Sequence, residues 1–502
     1  MKKYYQAVNK SHIKKYCQIY TNTKIADFMI DWLMKSSPTC VYDPAFGMGA
    51  FYYAAKKKGF NGIFRGSEID TISFNYFHLH VKKTKKLLVL NEDYFDTWSK
   101  NSFPCIVCNP PYSKFQNISN RKIIFQKLQT LLGIKISGFT NLASAFLMKA
   151  VYELVDNGRL AFLMPSEFLN TGYGEKVKEY LLNNGSIDNI IQIEDEKGSF
   201  NSVTTTVCIV LFIKNKSKQS ITFSKINYIS NIKVVFCNTI KLQDISIKEK
   251  WQKYFEKEKH IISNSNFVPL SFYGKFVRGI ATGANEFFIL NSQDIEKYKL
   301  SNDEVSICIT KSNQIKTSIL DDQTIVDKIN KNDNIFILNL NNKTNLPQPV
   351  KTYIEYGELQ GYHQRYLTKN RKPWYLIENR NPSPILFGVF TREKLKIIRN
   401  YTNAKNLTCF HGFNLKQNFA SDIIDKLFIY LKSKRAENTL IFNRRIYGNN
   451  LTKFEPNDLN SMLVPTLCMF NKFEQRFVKR EMKHILLYNC LSDKGNKYID
   501  TL

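Results

Sequence analysis

Apolar residues recur at helical spacing through Ile25, Phe28, Met29, Trp32 and Leu33, with Thr21 and Thr23 ahead of them as candidate caps. The period then changes. Short apolar runs at Cys40–Tyr42, Gly62–Ser67, Leu87–Leu90 and Ile106–Cys108 read as strands, and helical stretches Tyr52–Lys58 and Ser73–Lys82 separate the first three. Further along, Leu142–Val155 is a helix with an apolar face. Arg159–Met164 and Ile187–Ile193 are strands, and Val203–Ile213 is a long β-rich run. Strands alternating with helices predict an α/β domain around a mostly parallel sheet.

The strands end on polar side chains. The first runs into Asp43-Pro44-Ala45-Phe46-Gly47-Met48-Gly49, the second into Glu68-Ile69-Asp70, the third into Asn91-Glu92-Asp93-Tyr94 and the fourth into Asn109-Pro110-Pro111-Tyr112. In open α/β sheets ligands collect at these carboxyl ends. A strand, a glycine turn and a helix present backbone N–H groups to a ligand. No Gly-Lys-Ser follows the turn, and an acid at the strand end repels phosphate, so the pattern favours a cationic or hydroxyl-bearing cofactor. Glu68 stands 25 residues after Asp43, near the spacing at which an acid takes ribose hydroxyls. The two prolines stop the fourth strand because they cannot donate to a ladder. They leave the Asn109 amide, a peptide carbonyl and an aromatic face beside a crevice, an arrangement suited to a flat ligand bearing an amino group.

At 502 residues, 43% of them hydrophobic, the chain has material for two or three domains. Basic residues exceed acidic ones by 29, a field suited to a polyanion. A lysine- and asparagine-rich composition also follows from an AT-rich genome, so charge alone does not decide the partner. Residues 1–213 carry 26 basic and 17 acidic side chains (+9), leaving 46 and 26 (+20) for 214–502. The ten cysteines lack the spacing of a disulfide framework, which fits a reducing compartment. Cys105-x-x-Cys108 has no second pair to complete a zinc site, so no metal is expected, and alternation turns the two thiols to opposite faces as core residues. No apolar run reaches 18 residues and no signal segment opens the chain, so a cytoplasmic protein with no membrane partner is expected.

Taken together, Asp43-Pro44-Ala45-x-Gly47-x-Gly49-Ala50-Phe51, Glu68-Ile69-Asp70, the acid Asp93 and Asn109-Pro110-Pro111-Tyr112 resemble the S-adenosylmethionine-dependent adenine methyltransferases of restriction–modification systems. The match is to the TaqI-like and Eco57I-like subgroup, in which the cofactor half comes first and a target-recognition domain last. Ile19-Tyr20-Thr21-x-x-x-Ile25-Ala26-Asp27-Phe28-Met29 matches the N-terminal cofactor motif of that family. The resemblance implies a Rossmann-like methyltransferase domain over 1–213, with a mixed, mostly parallel seven-stranded sheet. A C-terminal α+β target-recognition domain would cover 214–502.

It implies that Thr21, Asp43, Ala45, Gly47 and Gly49 hold the methionine part of S-adenosylmethionine, that Glu68 takes the ribose hydroxyls and Asp93 the adenine, and that Ile69 and Tyr94 are further cofactor-binding residues. Asn109, Pro110 and Tyr112, with Phe200 from the loop before the last strand, would hold an adenine flipped out of double-stranded DNA. Phe46 departs from the family, which more often has a small residue or a cysteine there. Val277-Arg278-Gly279-Ile280-Ala281-Thr282-Gly283-Ala284-Asn285, Arg371-Lys372-Pro373-Trp374-Tyr375 and Lys453–Leu459 resemble elements of the recognition domain. On that basis Arg278, Thr282, Asn285, Lys372, Arg444 and Arg445 are the candidate DNA contacts.

The expected activity is site-specific methylation of adenine N6, protecting host DNA, by a monomer whose partner is a separate cognate endonuclease. No nuclease is expected ahead of a cofactor motif that begins near residue 20. Two alternatives share the Asn-Pro-Pro-Tyr signature or the basic field: an RNA or protein-glutamine methyltransferase, and a catalytically silent DNA-binding subunit.

Overall fold

The computed structural model describes residues 12, 16, 21–82, 84–112, 120–135, 140–194, 206–227, 232–255, 266–341, 345–392, 394–441, 445–447 and 451–501. The chain divides into two compact units, 1–259 with 446–450, and 260–445 with 451–502. Among the described residues no helix is long and apolar enough to cross a membrane.

Among the described residues the first unit has helix α1 (Thr23–Met34), then β1 (Cys40–Asp43), α2 (Ala50–Lys57), β2 (Ile63–Glu68), α3 (Thr71–His80), β3 (Leu87–Asn91) and β4 (Phe103–Cys108). It continues through α4 (Arg121–Leu132), α5 (Leu142–Glu153), β5 (Leu154–Pro165), α6 (Gly172–Asn184), β6 (Ser186–Glu194) and β7 (Val207–Ile213), and two further strands, β8 (Ser220–Asn227) and β9 (Lys233–Lys241), follow. The strands form one sheet in the order β3-β2-β1-β4-β5-β7-β6-β8-β9. From β3 to β5 every pairing is parallel; β7 runs antiparallel to both β5 and β6. Because β1 pairs with β2 on one side and β4 on the other, the strand order reverses between β1 and β4, which puts the crevice beside the ends of those two strands.

Alternation along the strands supplies both faces of the core. Tyr42, Ile106, Cys108, Leu160 and Phe162 pack with α5 and α6, whereas Val41, Cys105, Val107, Ala161 and Leu163 pack with α1 and α2. Cys105 and Cys108 are both fully buried, one on each face, as their odd spacing requires.

Among the boundaries that differ from the sequence expectation, three are informative. Asn22 caps α1, its side chain accepting from the Lys24 amide at 2.9 Å, so neither Thr21 nor Thr23 is the cap. The helix expected to reach Val155 ends at Glu153, where β5 begins. The third difference is larger. Strands β8 and β9 extend the sheet beyond residue 213, β8 parallel to β6 and β9 antiparallel to β8. Trp251 and Phe255 are fully buried, packing edge-on against Phe223, and Gln252 exchanges hydrogen bonds with Gln192. The first unit therefore closes near residue 259 and not at 213. Its last strands read as polar because the buried residues of β8, Ile221, Phe223, Ser224 and Ile226, stand among polar neighbours and β9 buries Ile240 alone among its described residues.

The second unit is α+β. Its five-stranded sheet runs in the order Gly274–Arg278, Phe410–Leu415, Ile385–Gly388, Ile397–Asn400 and Ile319–Leu320. A core rich in Phe and Ile joins that sheet to helices Ile423–Leu431 and Gln475–Tyr488. A four-stranded sheet formed by Ile289–Leu290, Phe336–Leu338, Val305–Ile309 and Lys405–Asn406 has its own core around Phe287, Phe288 and Tyr353.

Candidate active site

The turn after β1 is built by two glycines in left-handed conformation, Gly47 (φ 54°) and Gly49 (φ 73°), the second serving as N-cap of α2. Asp43 is buried at the strand end. Its Oδ1 accepts from the Ala45 amide at 3.1 Å, while its Oδ2 is buried with no hydrogen-bond partner among the described residues. Burial pushes its carboxyl well above the usual range, and the neighbouring Glu68 adds to the rise. Glu68 accepts from the Gly47 amide at 2.6 Å and from the Asp70 amide at 2.8 Å, so one carboxylate ties the glycine turn to the end of β2. Desolvation outweighs those bonds and raises Glu68 to about 7.

Phe46 turns away from this crevice into the core, edge-on to Phe77 with ring centres 4.7 Å apart. A Cβ on Gly66 would lie 2.4 Å from its ring, so Gly66 in β2 makes the space that the large side chain needs. The departure at Phe46 is thus a packing feature. Ile69 is exposed.

After β3, the half-buried Asp93 accepts from the Phe95 amide at 2.9 Å. Its carboxyl is raised by burial, and the positive charge of Lys149 acts in the opposite sense. Tyr94 does not line the crevice. Its side chain is buried, its hydroxyl donates to Glu153 at 2.7 Å and the Lys149 ammonium lies 3.5 Å from its ring centre. The side chain is thus engaged in the core, where its hydroxyl satisfies a buried charge.

Asn109 is 9% exposed at the end of β4, and its Nδ2 donates to Thr21 Oγ1 at 3.1 Å across 88 positions of sequence. This contact brings the N-terminal motif to the catalytic candidate and fixes how the amide is turned. Pro110 is buried. Tyr112 packs against both core layers, its hydroxyl buried and without a hydrogen-bond partner among the described residues, and burial pushes that group far up. Phe200 lies outside the described residues.

In the second unit, Arg278 reaches Glu378 at 3.5 Å, and Glu378 also holds Arg380 at 2.7 Å. Thr282 is buried and donates to the exposed Asn285, so the Thr282 side chain closes a turn. Arg371 fastens the same turn by donating to the carbonyls of Ala281 and Thr282. Lys372 is exposed; Arg445 opens the short strand Arg445–Tyr447, and Arg444 lies outside the described residues.

Sequence reasoning missed Lys149 and Glu153. Both sit on α5, four residues apart and fully or almost fully buried. The available signal was their place in an otherwise apolar helix, where two opposite charges one turn apart pair with each other.

Residues 4–271 match the family model described as N-6 DNA Methylase, and residues 248–492 match that of the Type II methyltransferase M.Eco57I C-terminal domain. Type II methyltransferase M.AccI of Acinetobacter calcoaceticus is 34% identical over 519 aligned residues, which span 99% of this chain and 95% of the relative. M.HindII of Haemophilus influenzae is 23% identical, with 82% and 78% covered. Among solved structures, the Type IIL restriction-modification enzyme MmeI in complex with DNA aligns at a TM-score of 0.59 and 12% identity, covering 95% of this chain and 71% of that one. A DrdV–DNA complex aligns at 0.52 and 12%, covering 96% and 58%. At such identities the two structures show a shared fold. The family models and the M.AccI relative show more: the chain belongs to the N-6 DNA methylase family, as a type II adenine-specific DNA methyltransferase of the restriction–modification kind.

Proposed function

We propose that the crevice between the ends of β1 and β4 moves a methyl group from S-adenosylmethionine to N6 of an adenine flipped out of duplex DNA. The observation that carries this reading is the buried Asn109 amide, held by Thr21 beside the acidic glycine turn. The residues fit the cofactor. Asp43 offers a buried oxygen without a partner, Glu68 a carboxylate fixed by two amides, and Asp93 a half-buried acid at the next strand end. These are acceptors suited to ammonium, ribose hydroxyl and adenine amino groups.

When bound, S-adenosylmethionine supplies an electrophilic methyl group on a sulfonium. The adenine amino nitrogen is a poor nucleophile because its lone pair is delocalised into the ring. Asn109 Oδ1 and the Pro110 carbonyl accept its two hydrogens, localise the lone pair and aim it, a task of positioning and electrostatics without an enzyme-bound intermediate. A paired, stacked adenine cannot reach this crevice, so extrusion is required, with Tyr112 and Phe200 as the stacking faces. Sequence recognition falls to the second unit, where the larger basic excess lies.

The decisive assay incubates the full chain with tritiated S-adenosylmethionine and unmethylated bacterial DNA, then identifies the labelled base. Label in N6-methyladenine is expected. Label confined to RNA or protein, or no transfer at all, overturns the proposal.

Glu68 gives a pH test. A hydroxyl donates more strongly to a carboxylate than to a protonated acid, so the cofactor favours the deprotonated form. With Glu68 at about 7 in the free protein, affinity should rise with pH and level off above that value. Below it, affinity should fall by up to about tenfold per pH unit, the limit for uptake of one proton. Calorimetric titration from mildly acidic to mildly alkaline buffer checks this, and Glu68→Gln should flatten the profile. A flat wild-type profile removes Glu68 from the cofactor contact.

A further inference from the structure

The second unit carries an apolar tip that its own fold leaves uncovered. Tyr366 is 76% exposed and Leu367 is 40% exposed. Leu359, at the end of the helix Gln348–Leu359 that feeds into this segment, is 85% exposed. Tyr366 and Leu367, adjacent and both exposed, present an apolar surface of the kind that interaction sites use. This one is rigidly built. Thr368 is fully buried, and its hydroxyl bonds the Tyr362 carbonyl at 2.5 Å and the Arg365 carbonyl at 3.1 Å. Asn370 donates to the Tyr366 carbonyl at 2.6 Å. Gly283, in left-handed conformation, lets the Ala281–Ala284 turn approach Leu367 so closely that a Cβ there would lie 2.7 Å from the Leu367 Cβ. Arg371 ties the same turn from the far side of the tip.

Charge identifies the partner. Residues 362–375 contain Arg365, Lys369, Arg371 and Lys372 and no acid. Arg365 is paired with Glu286 at 2.7 Å and Arg371 is bound to carbonyls, but Lys369 and Lys372 are exposed on the flank of the tip. The Lys369 ammonium lies 5.9 Å from the Tyr366 ring centre. An aromatic ring and a leucine on a rigid loop, flanked by ammonium groups, have the chemistry of a wedge that stacks against bases while the cations meet phosphates.

We propose that the Tyr366–Leu367 tip is a DNA-contacting wedge, with Tyr366 stacking on a base and Lys369 and Lys372 on the adjoining phosphates. The proposal rests on the DNA-methyltransferase reading and adds a specific surface to it. Stacking and phosphate contact respond differently to salt: phosphate neutralisation sets the slope of affinity against salt, and stacking does not.

The test measures binding of the full chain to a pool of fluorescein-labelled duplexes from unmethylated bacterial DNA across a salt series. Tyr366→Ser should weaken binding about 5- to 100-fold with the slope unchanged, and Tyr366→Trp should restore it. Lys369→Ala with Lys372→Ala should flatten the slope. Wild-type affinity in Tyr366→Ser overturns the wedge, as does equal loss in Tyr366→Ser and Tyr366→Trp. The wedge also falls if Tyr366→Ser converts a dimer to a monomer in sedimentation while DNA binding stays intact, which would make the tip an interface between copies. Methyl transfer by the wild type to the same pool keeps the two readings separate. Transfer with an unaffected Tyr366→Ser variant sinks the wedge alone, whereas neither binding nor transfer sinks the underlying reading.

Discussion

Replacing Asn109 by alanine is expected to slow methyl transfer about 100- to 1000-fold, the usual consequence of deleting one preorganised polar group aimed at a reacting centre. Cofactor affinity should stay close to that of the wild type. The separation follows from position: Asn109 ends β4, whereas Asp43, Glu68 and Asp93 stand at or just beyond the ends of β1, β2 and β3. Its proposed contact, with the adenine amino group, strengthens as the lone pair localises, so its loss falls on the chemical step. Thr21→Val should act in the same direction with a smaller effect, because it removes the acceptor that holds the amide in place and leaves the amide itself. Single-turnover transfer from tritiated S-adenosylmethionine, with calorimetry for the cofactor, separates the two quantities. Transfer within tenfold of wild type in Asn109→Ala would remove the residue from the mechanism.

The strand ends were legible because their chemistry is local. Asp43 and Asn109 follow a short apolar run directly, Glu68 and Asp93 follow one within a few residues, and in a parallel sheet the ends of such runs become neighbours in space. The close of the first unit was not legible. Strand β8 mixes buried and polar positions, β9 is mostly exposed or half-buried, and Trp251 and Gln252 join the first unit through long-range contacts with Phe223 and Gln192 that no local pattern reports. The side-chain partners of Tyr94 and Thr282 were not legible for a related reason. A motif states which residue types stand side by side, but the partner that claims each side chain, Glu153 in one case and Asn285 in the other, is set by packing. The same holds for Phe46, whose room is made by a glycine twenty positions away in the neighbouring strand.

Lys149→Met is expected to cost about 3–5 kcal/mol, the range for removing one partner of a buried ion pair. The Lys149 ammonium lies 2.5 Å from Glu153 Oε1, and both side chains are excluded from water. Burial lowers Lys149 to about 8 and raises Glu153, and the attraction between the two groups works against that burial in both. Methionine matches the volume and leaves the Glu153 carboxyl with only the Tyr94 hydroxyl and the Ser99 amide, at 3.3 Å. Lys149→Met with Glu153→Leu should recover most of the loss, because removing both charges removes both desolvation costs. A chain of two units need not unfold in one step. Hydrogen exchange at α5 and at the amides of Asp93–Ser99 is therefore the measurement to make, with a change below about 1 kcal/mol in the single variant counting against the pair. The same bonds fix the turn that carries Asp93. Incomplete recovery in the double variant should therefore appear as a raised KM for S-adenosylmethionine with kcat retained, the mark of an acid displaced from the cofactor and not of altered chemistry.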